Sequence, residues 1–94
     1  MIIVHDTFIC KPGNASKLAT LFKDAMSGLD KITVMTDVTG QFNKVLLISE
    51  FENLAAYEKM WEDMDPAIAK KVQDAMKGYT ELYQTGSREI FKVW

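Results

Sequence analysis

Residues 31–51, KITVMTDVTGQFNKVLLISEF, decide the fold. Two runs rich in Val, Ile and Thr, 31–39 and 44–51, are separated only by Gly40-Gln41-Phe42-Asn43, which predicts two strands and a turn. So short a connection joins antiparallel neighbours, because a parallel pair needs a crossover of about a dozen residues. Alternation sorts the side chains of the hairpin onto two faces. Ile32, Val34, Thr36 and Val38 oppose Thr33, Met35, Asp37 and Thr39, and Val45, Leu47, Ser49 and Phe51 oppose Leu46, Ile48 and Glu50.

The same signals extend outward from the hairpin. Ile2 to Cys10 reads as a strand broken by KPGN at 11–14. Asn14 is placed as an N-cap. Ala15, Leu18, Ala19, Phe22, Ala25, Met26 and Leu29 then recur at helical steps, and that helix ends near Gly28. Beyond the hairpin, Asn53 can cap a helix that buries Leu54, Tyr57, Trp61 and Met64. Asp65-Pro66 fits an N-cap followed by proline at the first helical position, opening a further helix with the stripe Ile68, Val72, Ala75, Met76 and Tyr79. Gly78 is available to end it. The closing stretch 80–94, TELYQTGSREIFKVW, reads as a last strand interrupted at Gly86–Ser87 by a bulge or turn.

The order β-α-β-β-α-α-β is the split βαβ, ferredoxin-like pattern of the α+β class. It predicts one domain over residues 1–94. Its four-stranded antiparallel sheet runs in the order 4-1-3-2, with the helices on one face. A chain of 94 residues is too short for two independent cores. The net charge of −2 gives no electrostatic reason to expect nucleic acid or acidic lipid. Cys10 is the only cysteine, so neither an intrachain disulfide nor a Cys-based zinc site is expected. No apolar run approaches the ~20 residues of a membrane span, and no signal peptide is visible, so a cytoplasmic protein is expected.

Helices on one face leave the other face of the sheet to be explained. Strand one places Ile2, Val4, Asp6, Phe8 and Cys10 together, and Ile3, His5, Thr7 and Ile9 opposite. The second set joins Met35, Leu46, Ile48 and Glu50 in a mixture too aliphatic for a solvent face. The expectation is a homodimer packed sheet to sheet, with His5, Met35, Ile48 and Glu50 at its interface. The competing reading is single apolar residues scattered on a wet surface.

His5 and Asp6 look like a catalytic pair, but adjacent strand residues point to opposite faces and cannot bond side chain to side chain. His5 is better matched with Glu50, on the same face within or across protomers. Asp6 falls on the helix side between Val4 and Phe8, so it must be paired, neutral or beside a wet cavity. Asp6 with Tyr83 is the candidate acid–base set, and Tyr57, Trp61 and Tyr79 are the candidate ligand contacts. The competing reading is a twisted or bulged strand that lets Asp6 reach water. No glycine-rich phosphate loop or metal-ligand cluster is present, and one histidine cannot build a multi-His site.

CKPGNASKLATLF (10–22) and LLISEFENLAAYEKM (46–60), with the closing strand, resemble the dimeric α/β-barrel superfamily. The nearest branches are its antibiotic-biosynthesis-monooxygenase-like and NIPSNAP-like domains. The resemblance implies a homodimer whose two sheets form a barrel, and a pocket in each protomer between sheet and helices. Activities across that superfamily range from cofactor-independent oxygenation to lactone isomerisation and haem chemistry, so fold alone selects none. Its haem-degrading members ligate iron through a helical histidine. No predicted helix here carries one, although Trp61 lies on a helix, so neither haem nor another cofactor is expected. Two functions stay open: a homodimer with a cavity for a small apolar or aromatic molecule, or a cofactor-independent monooxygenase or isomerase acting on such a substrate.

Overall fold

Alternation along Ile2–Cys10 produces the strand β1 at the centre of the molecule, and the computed structural model describes residues 1–94 around it. The elements that follow are α1 (Ala15–Ala25), β2 (Ile32–Thr36), β3 (Lys44–Phe51), α2 (Leu54–Glu62), α3 (Pro66–Ala75), a 3-10 turn (Tyr79–Glu81) and β4 (Tyr83–Lys92). The sheet order is β2-β3-β1-β4, with antiparallel pairing throughout. The α+β ferredoxin-like architecture read from the sequence is the one observed. Its smallest dimension is 18 Å, the depth of one sheet and one helix layer.

The core lies between β1, β3 and α1. Leu18, Phe22 and Ala25 follow one another on the buried stripe of α1, and Met26 extends it at the C-cap. They meet Cys10, Val45 and Leu47, helix-side positions of β1 and β3, and Val4 is buried on the same face of β1. Phe8 joins at the margin, its ring 5.0 Å from those of both Phe22 and Tyr83. Burial of those aromatic and aliphatic side chains stabilises the fold by about 1.5–3 kcal/mol each.

Turn chemistry accounts for the element ends. The Asn53 side chain accepts from the Ala56 N–H at 2.8 Å, and Asp65 accepts from Ala67 N–H at 2.8 Å with Pro66 opening α3. Asn14 sits at the N-cap of α1 without a side-chain cap bond. Gly78 adopts φ +81°, a conformation that favours glycine, and turns the chain from α3 into the 3-10 turn.

Several features differ from the sequence expectation: α3 ends at Ala75, so that Tyr79 falls in the 3-10 turn, and β4 starts at Tyr83 rather than Thr80. β2 stops at Thr36 rather than running to Thr39. There the Asp37 carboxylate accepts from the Lys44 N–H at 3.0 Å and begins the loop, which Gly40 and Asn43 complete at positive φ. The predicted interruption of β4 at Gly86–Ser87 is absent. The strand is continuous there, and the register shifts instead between Ile9 and Cys10, which face Thr85 and Tyr83 and leave Gln84 as the extra residue. Gly86 serves close packing: a Cβ there would stand 3.4 Å from the Phe8 ring.

Candidate functional site

Helix α2 carries no fully buried residue and leans on β3, leaving a seam between itself and the edge strand β4. Pairing with β1 fixes what β4 presents to that seam. Val4 faces Ile90, Asp6 faces Arg88 and Ile2 faces Lys92. Arg88, Ile90 and Lys92 therefore lie on the helix side with the apolar set of β1.

Two openings follow the seam. An open cleft of about 730 Å³ is lined mainly by Met1, Ile2, Leu54, Ala55 and Ile90, with Lys92 among its polar edges. A second hollow of about 510 Å³ is bounded by Tyr57, Glu58, Trp61, Glu62 and Arg88. Tyr57 and Trp61 are four residues apart on α2 and so share a face. The Tyr57 ring meets Phe51 edge to face at 5.1 Å, and the Arg88 guanidinium carbon lies 5.8 Å from the centre of the Tyr57 ring.

Asp6 is buried, and its charge is met. The Arg88 Nε–H donates to Asp6 Oδ1 at 2.5 Å, the one ion pair in the molecule. That hydrogen bond holds the guanidinium above its already high ordinary value, although partial burial pulls the other way. No other protein acceptor takes up Arg88, whose side chain is 55% exposed. A fixed carboxylate and a partly free cation thus stand together between the two openings. Cys10 is inert by comparison, since burial pushes its thiol up.

The other candidate residues separate into two groups. Tyr79 and Tyr83 stack on each other at 5.8 Å and join the Phe8–Phe22 cluster rather than the seam. Tyr83 pairs with Cys10, four positions along β1 from Asp6 or roughly 13 Å, so no direct contact joins Tyr83 to Asp6. On the helix-free face, His5 faces Ile48 on β3 and Glu89 on β4, with its ring edge to face on Phe91 at 5.1 Å. Glu50 faces Ile3 instead, one step along the same face, and no hydrogen bond joins it to His5 within the chain. Met35 pairs with Leu46 and is exposed on that face.

Sequence reasoning missed Arg88 and Ile90. Their alternation on β4, set against the antiparallel β1, was the signal that places both beside Asp6.

Comparison with solved structures matches this arrangement over nearly the whole chain. An uncharacterised NIPSNAP domain protein from Burkholderia xenovorans superimposes with a TM-score of 0.79 at 12% identity, covering 100% of this chain and 95% of that one. A candidate antibiotic biosynthesis monooxygenase from Chloroflexus aurantiacus gives 0.71 at 13% identity, covering 96% and 89%. Another from Deinococcus radiodurans gives 0.62 at 19%, covering 100% and 93%. The fold is that of the NIPSNAP and antibiotic-biosynthesis-monooxygenase proteins. At such identities the likeness is one of fold. No known family profile matches the chain, and no curated protein matches it. No helix is long and apolar enough to cross a membrane.

Proposed function

We propose that this chain forms a homodimer through its helix-free sheet face and binds a small apolar or aromatic molecule in the seam between α2 and β4. The observation that carries the binding reading is the open cleft. Ile2, Leu54 and Ile90 there present aliphatic surface to solvent beside a few polar groups, the usual make-up of a small-molecule site. Dimerisation rests on the opposite face. Ile3, Ile9, Leu46 and Ile48 are only half-buried, and Met35 and Phe91 are 39% and 46% exposed. Such contiguous apolar surface favours a partner. Only ten residues are buried within the protomer, so a second copy would add to a small core.

The chemistry available without a cofactor supports a second reading, a monooxygenase or isomerase acting on an aromatic or polyketide-like substrate. It draws on the Asp6–Arg88 pair, a buried carboxylate held beside an aromatic hollow. In that case Asp6 would accept a substrate proton while Arg88 met developing negative charge. The names of the monooxygenase neighbours agree with this reading, and Tyr57, whose ring lies beside Arg88, is a better placed phenol for it than Tyr83.

Titration of 15N-labelled protein with 1-naphthol tests the binding reading. Amide shifts should concentrate at Ile2, Leu54, Ala55 and Ile90. Shifts confined to Tyr79–Tyr83, or none at millimolar probe, would refute it.

A further inference from the structure

Trp94 lies just beyond β4, and its own side chain packs against no part of the core. The Val93 N–H donates to the Met1 carbonyl at 3.0 Å, which carries the β1–β4 pairing past Lys92 to the last residues. Continuing the alternation places Trp94 on the side of Arg88, Ile90 and Lys92, the side that faces the seam. Its side chain is wholly exposed, at 101%. Its one defined contact is the Lys92 ammonium, 4.7 Å from the ring centroid, and Lys92 also lines the apolar cleft.

A bare indole of this size leaves a large apolar surface in water, one same-face step beyond Lys92, which lines an aliphatic trough that is also in water. Contact between them through a third, flat body would remove both surfaces at once. The Lys92 ammonium, which lies over the Trp94 ring, would keep to the face opposite the guest, because a cation is favoured over a π face and not at a ring edge.

We infer that Trp94 is the outer wall of the cleft: a flat aromatic guest is held between the Trp94 indole and the Ile2–Leu54–Ile90 surface. This rests on the binding reading above and assigns it a further contact residue and a preference. Planar guests gain from stacking on Trp94, whereas non-planar guests of the same carbon count gain only from the trough. Trp61, in the neighbouring hollow, takes no part.

The chain holds two tryptophans, so its indole Nε1–H groups give two nuclear magnetic resonance signals, which a Trp94→Phe spectrum assigns. The protein is titrated with 1-naphthol and, separately, with its saturated counterpart decahydro-1-naphthol. With 1-naphthol the Trp94 indole signal moves together with the amides of Leu54 and Ile90, and the Trp61 signal stays in place. Trp94→Leu, which keeps apolar bulk but not the stacking face, weakens 1-naphthol binding roughly 3- to 10-fold, the range of one aromatic pair. It leaves the saturated probe within twofold, and Trp94→Phe recovers most of the loss. If the cleft amides move while the Trp94 signal does not, or if Trp94→Leu binds 1-naphthol as tightly as the parent, the inference fails and the cleft reading survives. If neither probe moves the cleft amides, both fail.

Discussion

Breaking the Asp6–Arg88 pair from each side should have unequal costs, and the structure sets the inequality. Asp6 has a side chain only 12% exposed, and its hydrogen bond from the Arg88 Nε–H is its single side-chain partner. Arg88→Met therefore strands a carboxylate among Val4, Phe8 and the sheet. Removing one partner of a fully buried pair costs about 3–5 kcal/mol. Half-exposed Arg88 lets water reach the site, which discounts that figure to about 2 kcal/mol. Asp6→Asn leaves a guanidinium that water can solvate and an amide that still accepts, so its cost is about 1 kcal/mol. In the double variant neither charge remains, and its cost should fall below the sum of the singles by about 1 kcal/mol. Urea unfolding of the four proteins at one fixed concentration, followed by circular dichroism with a common slope, measures all three values. Equal single costs, or additive costs within 0.3 kcal/mol, would refute the claim that Asp6 is the buried member held by Arg88.

Other expectations follow from local geometry. Phe22→Ala empties the centre of the Phe8–Phe22–Tyr79 cluster and should cost about 3–5 kcal/mol, read as loss of a cooperative thermal transition at ordinary temperatures. Asn53→Ala removes the cap of α2 and should cost about 1 kcal/mol, whereas Asn14→Ala, whose side chain makes no cap bond, should cost clearly less; paired urea midpoints check this. Burial raises the Cys10 thiol above its ordinary value, so the folded state keeps the thiol neutral where the unfolded chain ionises it. This group's contribution is intact below about pH 9 and is lost as pH rises above it, so Cys10→Ala should flatten the alkaline decline in the urea midpoint.

Parts of this architecture were legible because short-range rules coincided with the tertiary outcome. β1 and β3 span the predicted residues 2–10 and 44–51, since alternation and adjacent turn residues mark both ends. Asp65-Pro66 opens α3 as its chemistry requires. Residues whose roles depend on distant partners were not legible. Gly86 looked like a break but makes room for the Phe8 ring, 78 positions away in sequence (86 − 8). Asp37 looked like a strand residue but turns the chain by bonding Lys44. In the site, alternation separated His5 from Asp6, but the need of Asp6 for a partner could be stated without naming Arg88, which lies 82 residues on. Position in the sequence alone puts the candidate tyrosines together, on or after the second helical region. The fold divides them, because Tyr57 projects from α2 beside Arg88 while Tyr79 and Tyr83 follow the turn after α3 into the core margin.

In the proposed homodimer a second copy covers the helix-free sheet face and leaves the α2–β4 seam for a ligand. Sedimentation velocity on the parent protein and on Ile48→Arg tests it most directly, because Ile48 lies between Thr33 and His5 on that face, away from both openings. The parent should sediment at twice the chain mass at micromolar concentration, and Ile48→Arg should sediment as a folded monomer. A parent that stays monomeric across that range, or an Ile48→Arg variant that remains a dimer, would contradict it.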